Sequence, residues 1–305
     1  MSKRTIKEMV QIICTEYCVH LIPDSTRAWN GPQIISNLEE ECNVIVTATD
    51  ASVEVIQRAV DLNANILICH HGLTWTNGNI SLPNSGDLES PRTKIAIENN
   101  LTIIGLHLPM DAHPTLGNNA VLSEIIGAEI SGTWFNTKGT PSPLSEIFVE
   151  QRDYSNWPEI IEIEGGRKSM DIGIIARVKS STRSELTSRL QESIKSEQTS
   201  SERVRCFPED RNLESSTVDV VAICTGAAGG AVVDAMESGV DLLISGEGPA
   251  HAAILAQESG VGLLLGGHHA TETVGPRALA EWIRNKSEIN NWEIEANFIS
   301  APIGL

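Results

Sequence analysis

Two stretches of this chain repeat each other. Residues 44–72, VIVTATDASVEVIQRAVDLNANILICHHG, align without a gap with residues 220–248, VVAICTGAAGGAVVDAMESGVDLLISGEG, at an offset of 176. Each copy opens on a short β-branched run, at 44–46 or 220–223, and turns at 49–51 or 225–229. A stretch with apolar residues at helical spacing follows: Val53, Ile56 and Val60 in the first copy, Val232, Val233 and Met236 in the second. A second apolar run closes the unit at 66–69 or 242–244. Strand, helix, strand, with apolar strands, is the pattern of a parallel βαβ unit. The correspondence continues beyond it. A helix is expected at 91–99 or 249–259, and a strand at 101–106 or 261–265. Next come His107-Leu-Pro-Met-Asp111 and His268-His-Ala-Thr-Glu272, then helices at 118–126 and 276–283. The expected fold is therefore α/β, with two similar layers from an internal duplication, over 305 residues that suit two domains. We expect 1–130 with 260–305 to form the first domain, carrying most of the site, and 131–259 to form the second. The segment 131–217 is the variable part, with Pro141, Pro143, Pro158 and Pro208, a charged helical stretch at 182–197 and a solvated run at 197–203. Its strand-like IGIIARV at 172–178 belongs with the second domain.

Bulk properties narrow the function classes. The composition, 41% hydrophobic and 20% charged, is that of a folded soluble chain, and aromatics at 4% leave the core to Val, Ile, Leu and Ala. A formal net charge of −18 repels phosphate backbones and argues against a general nucleic-acid binder. A bound divalent cation inverts that sign locally, so a small phosphorylated ligand stays open. The six cysteines include no CxxC pair, and Cys69, Cys206 and Cys224 read as buried thiols. The first residues, interrupted by Lys7, Glu8 and Glu16, read as an amphipathic helix rather than a secretory signal. Together these suggest a reducing cytoplasm. No run of about 18 apolar residues spans a membrane. Gly226, Gly229 and Gly230 lack the GxGxxG spacing, and there is no P-loop, GxSxG elbow or Cys–His nucleophile pattern.

The polar residues concentrate in three places. His70 and His71 follow the strand ILIC, His107 and Asp111 follow TIIGL, and His268, His269 and Glu272 follow GLLLGG. All three lie beyond the carboxyl ends of expected parallel strands, where open α/β sheets place their ligands. His-x3-Asp and His-x3-Glu stand at equivalent positions of the two copies, and residues four apart share one face of a helical turn. Imidazole with carboxylate suits Zn, Fe, Mn or Ni without choosing among them. A carboxylate such as Asp111 or Glu272 can bridge two ions, and five or six such ligands suit two metals better than one. The remaining histidines, His20, His113 and His251, read as ordinary surface or core residues. Glu247 aligns with His71 across the repeat and reads as a partner of a ligand, an interface acid or a helix cap; Asp50 aligns with Gly226 and reads as a turn residue or a partner of a ligand. Trp75 stacks a planar ligand, packs, or makes an oligomer contact.

With these motifs in order, ILICHHG, IGLHLPMDAHPTLGNNAVLSEIIG, DLLISGEG and GGHHATETVGPRALAEWI, the chain resembles the Nif-three-like dinuclear metal-centre family. Many of its members are labelled GTP cyclohydrolase I type two. The resemblance covers about 33–130 and 218–305. It implies two similar, interlinked α/β domains, a homohexameric ring facing its metals inward, and two divalent ions per subunit. Matched by motif, the implied ligands are His70, His71, Asp111, His268 and Glu272. The resemblance also places His107 beside the metals, as an added ligand or a proton-transfer group, and His269 behind them. The implied chemistry is hydrolysis by a metal-bridged hydroxide, with purine ring opening as the reaction the label suggests. A different class stays open: a non-catalytic, metal-binding regulatory protein that forms a ring and binds a partner. A DNA-threading ring is a third reading, which the acidic composition opposes. The closing ANFISAPIGL departs from the family's usual ending but carries no ligand.

Overall fold

A computed structural model describes residues 3–25, 28–73, 91–144, 146–199, 203–208 and 217–304. Trp75 lies outside the described residues. Among the described residues twelve strands are formed: β1 (Gly31–Ile34), β2 (Val44–Asp50), β3 (Ile66–His71), β4 (Thr102–Gly105), β5 (Ala128–Gly139), β6 (Ile161–Ile163), β7 (Arg167–Thr182), β8 (Arg205–Phe207), β9 (Thr217–Ile223), β10 (Leu242–Ser245), β11 (Gly262–Leu265) and β12 (Glu295–Phe298). They make two sheets, in the orders β1-β4-β3-β2-β12 and β5-β7-β9-β10-β11-β8, with β6 beside β7.

The first sheet is parallel through β12, β2, β3 and β4, and β1 closes it antiparallel to β4. Alternate side chains explain why its strands are apolar on both faces. Val46, Ala48, Leu67, Cys69 and Ile103 face the buried Val55, Ile56, Ala59 and Ala96 of the helices Val53–Asp61 and Pro91–Glu98. Ile45, Ile66, Ile68 and Ile104, one step out of phase, are fully buried as well. Local chemistry starts the helices where they begin. Ser52 Oγ accepts the N–H of Val55, and Thr5 and Glu8 form a reciprocal capping box on the helix Ile6–Glu16.

The second sheet repeats the arrangement. Strands β9, β10 and β11 are parallel, with β8 antiparallel on β11 and β7 antiparallel on β9. Val221, Ile223, Leu242, Ile244 and Leu264 share one cluster with Leu186, Leu190 and Ile194 of the helix Arg183–Ile194, which a Thr182–Glu185 capping box begins. The IGIIARV run lies within β7. The fold is thus α/β with two sheets, and the duplicated strands β2-β3 and β9-β10 pair in parallel as the repeat requires.

By compactness the chain divides into one unit of 1–110, 137–170 and 276–301 and another of 111–136, 171–275 and 302–305. In this division residues 111–130 and 260–275 group with the β9–β11 sheet. All six cysteines are buried and free. Among the described residues no helix is long and apolar enough to cross a membrane.

Candidate metal centre

Strand β3 ends on His70 and His71, and the sheet places the end of β4 beside them. An extended chain would send adjacent side chains to opposite faces, but here the strand ends and the two rings lie 4.5 Å apart between centroids. His107, two residues beyond β4, brings its ring to 5.2 Å from that of His70. One ligand atom from each of His70, His71 and His107 falls within 4.8 Å of the others, close enough to hold one ion.

Each of these rings is oriented through its Nδ1. The Leu106 carbonyl accepts from His70 at 3.2 Å, and Asp50 Oδ1 accepts from His71 at 2.9 Å. Both oxygens of Asp24 stand 3.0–3.1 Å from Nδ1 of His107. A carbonyl or carboxylate oxygen only accepts, so Nδ1 donates, and in the neutral ring the lone pair is on Nε2. That is the tautomer of a metal-ligating histidine with an oxygen partner behind it. Asp24 is 1% exposed. Burial works against its charge, but the His107 ring, the Asn30 amide and the Leu108 N–H hold the carboxyl below its ordinary range.

The second ligand group lies in the other unit. His268 begins a helical turn, His268–Thr271, and Glu272 follows at its end, so the two residues share a face as the spacing predicts. Nε2 of His268 is 3.2 Å from Glu272 Oε2, and its Nδ1 is 2.9 Å from Glu247 Oε1. Burial opposes charging of this imidazole, yet the hydrogen bonds and charges of Glu272 and Glu247 carry its pKa up to about 9. Gly226 makes the room. Its φ is +67°, and a Cβ there would collide with Glu272 Oε1 and lie 3.3 Å from His268 Nε2. The cleared space and the mixed imidazole–carboxylate donors fit a divalent cation.

Asp111 is fixed from three directions. Asn118 Nδ2 donates to its Oδ1 at 2.9 Å, Thr225 Oγ1 donates to the same oxygen at 3.2 Å, and Asn119 Nδ2 donates to its carbonyl at 3.2 Å. Asn119 also donates to the Ile172 carbonyl and accepts the N–H of Thr225. One buried amide thus ties Asp111 to β7 and to the turn after β9. Asn119→Ala is expected to lower folding stability by about 2–4 kcal/mol, since three buried hydrogen bonds go at roughly 1 kcal/mol each with unpaired groups left behind. A urea midpoint within error of the parent would contradict it.

Residues 4–302 match the Duf34/NIF3 (NGG1p interacting factor 3) family. This chain belongs to that family. The Duf34/NIF3 relatives include a Salmonella typhimurium protein named GTP cyclohydrolase 1 type 2 homolog, 30% identical over 283 residues and 91% of each chain. Among solved structures, the protein ybgI, titled as of unknown function, is 26% identical with a TM-score of 0.74, over 99% of this chain and all of that one. A Thermus thermophilus protein has the same fold at 20% identity and a TM-score of 0.70, over 99% of this chain and all of that one.

For this Duf34/NIF3 chain the sequence motifs separate cleanly into ligand candidates and others. His70, His71 and His107 come together in one unit, and His268 meets Glu272 in the other. His269 is buried. His113 serves the backbone: its Nδ1 accepts the N–H groups of Thr115 and Leu116. Glu247 and Asp50, each left open by the repeat, both hold a histidine. Asp24, Asn30, Asn118, Asn119 and Thr225 carry no signal in the sequence, because only burial and long-range contact single them out.

Proposed function

We propose that this protein is a dinuclear metal-dependent hydrolase whose two ions are held by His70, His71, Asp111, His268 and Glu272, with His107 an added ligand or proton-transfer group. The observation that carries this is the common orientation of His70, His71, His107 and His268, each with Nδ1 against an oxygen acceptor. Surface histidines have no reason to share that arrangement; ligands do. Asp111 follows His107 by four residues, across the helical turn Leu108–Ala112.

Two bound divalent ions would supply a water activated near neutral pH and polarise the bond under attack. The chain's residues hold that chemistry in place. Asp24, Asp50 and Glu247 keep the imidazoles aimed, and Asn118 and Thr225 keep the Asp111 carboxylate from rotating. His107, with Nδ1 directed at Asp24, turns Nε2 toward the site as an added ligand atom or a proton acceptor. The name of the Salmonella relative points to purine ring opening on GTP. Against this, a net charge of −18 disfavours a triphosphate that is not itself held by the metals. A small substrate with a cyclic amide or amidine bond satisfies both considerations. By resemblance the protein works as a homohexameric ring, and six buried free thiols suit a reducing cytoplasm.

A second reading, a metal-binding regulatory protein, is favoured by the family description as an interacting factor. One preparation separates the two. Untagged, metal-loaded protein is expected to run at the mass of six chains and to turn over GTP or a member of a panel of cyclic amides and phosphoesters, with turnover lost in Asp111→Ala. Loaded protein that turns over nothing in the panel favours the regulatory reading, and a monomer removes the ring.

A further inference from the structure

Asp24 lies outside the repeat and 83 residues from the histidine it touches. An aspartate 1% exposed is costly unless its charge is paired and its lone pairs are filled. Here they are. Oδ1 accepts the N–H of Ser25 at 2.6 Å, and Oδ2 accepts the Asn30 amide at 2.8 Å and the Leu108 N–H at 3.2 Å. Both oxygens then face Nδ1 of His107. The same Asn30 completes a ring of contacts, because its Oδ1 accepts the backbone N–H of His107 at 2.7 Å and its own N–H donates to Ser142 Oγ at 2.8 Å. Asn30 is fully buried. The backbone is fixed as well: Asp24 bridges Thr140, and a side chain at Gly139 would collide with the Asp24 main chain. His107 is thus held at its ring and at its main chain by two residues that lock each other.

We propose that Asp24, locked by Asn30, is the positioning residue that fixes His107 as the Nδ1–H tautomer and so presents Nε2 to a divalent cation. The assignment rests on the metal reading above for its consequence, but not for its geometry. Every donor around Asp24 points at a carboxylate oxygen, so an amide in its place sets an NH2 group against either the Ser25 N–H or the pair from Asn30 and Leu108. The amide can also donate to Nδ1, which moves the imidazole proton to Nε2. An imidazole with its proton on Nε2 cannot ligate through that atom.

The test begins with metal-free parent protein, its histidines labelled with 15N, recorded well above the imidazole titration range. His107 is expected to show a protonated Nδ1 and an unprotonated Nε2. A resonance pattern with the proton on Nε2 overturns the proposal without any variant being made. In Asp24→Asn the His107 pattern is expected to shift toward the Nε2–H form, while His71, held by Asp50, keeps its own. A loss of both patterns together marks a structural role only and overturns the proposal. Zn2+ titration supplies the second reading: affinity is expected to fall on the order of 10–100-fold in Asp24→Asn. Unchanged affinity with an unchanged His107 tautomer also overturns it. Parent protein that binds no Zn2+ refutes the metal reading instead, and the tautomer measurement still decides the role of Asp24.

Discussion

Glu272→Gln is expected to strip the protein of metal while leaving it folded. Glutamine matches glutamate in shape, so the packing around a side chain that is almost wholly buried survives. The charge does not. Glu272 lies against Nε2 of His268 and helps to raise that imidazole to about 9. With glutamine the histidine keeps Glu247 at Nδ1 but loses the carboxylate charge at its Nε2. Residues that merely orient a ligand cost about 10–100-fold in metal affinity when removed. As a proposed direct ligand Glu272 should cost more, so we expect at least about a 100-fold loss, on the order of that upper bound or beyond. Isothermal titration with Zn2+ or Mn2+ checks it. Affinity close to that of the parent would take Glu272 out of the ligand set.

Gly226→Ala separates space from charge. The added methyl changes no charge and removes no donor, yet its Cβ enters the volume that Glu272 Oε1 occupies. That oxygen ends a side chain and can swing away, so the collision itself is relieved cheaply. The left-handed backbone at φ +67° costs the alanine about 1–2 kcal/mol. The expected result is therefore a modest loss of stability with a disproportionate loss of metal, on the order of 100-fold in affinity, as the carboxylate leaves its place. Gly226→Ala with full metal affinity would show that the space beside Glu272 is not the ion's.

The repeat made the fold legible. A helix period between two apolar runs, found twice, admits few arrangements other than parallel βαβ layers, and strands β2-β3 and β9-β10 follow that reading. The candidate ligands stood out for a related reason, since a site at the ends of parallel strands puts its histidines directly after apolar runs. The alignment even placed Glu247 opposite His71 and Gly226 opposite Asp50. It could not say that Glu247 and Asp50 each orient a histidine, or that a glycine stands where a side chain would crowd Glu272. The supporting residues were out of reach altogether. Asp24 and Thr225 act across 83 and 114 residues of chain, and nothing local marks them. Asn118 and Asn119 look like ordinary residues at a helix start until both are found fully buried. The boundaries of the compact units were hidden because the chain crosses between them within the helical turn Leu108–Ala112, where hydrophobic pattern gives no break.

The most direct test is the metal content of untagged protein, purified without chelator and quantified by mass spectrometry of the elements. Close to two divalent ions per chain, falling in Glu272→Gln, is the result expected from the proposed function. One ion or none in the parent protein, after loading with Zn2+, Fe2+, Mn2+ and Ni2+ in turn, would contradict it.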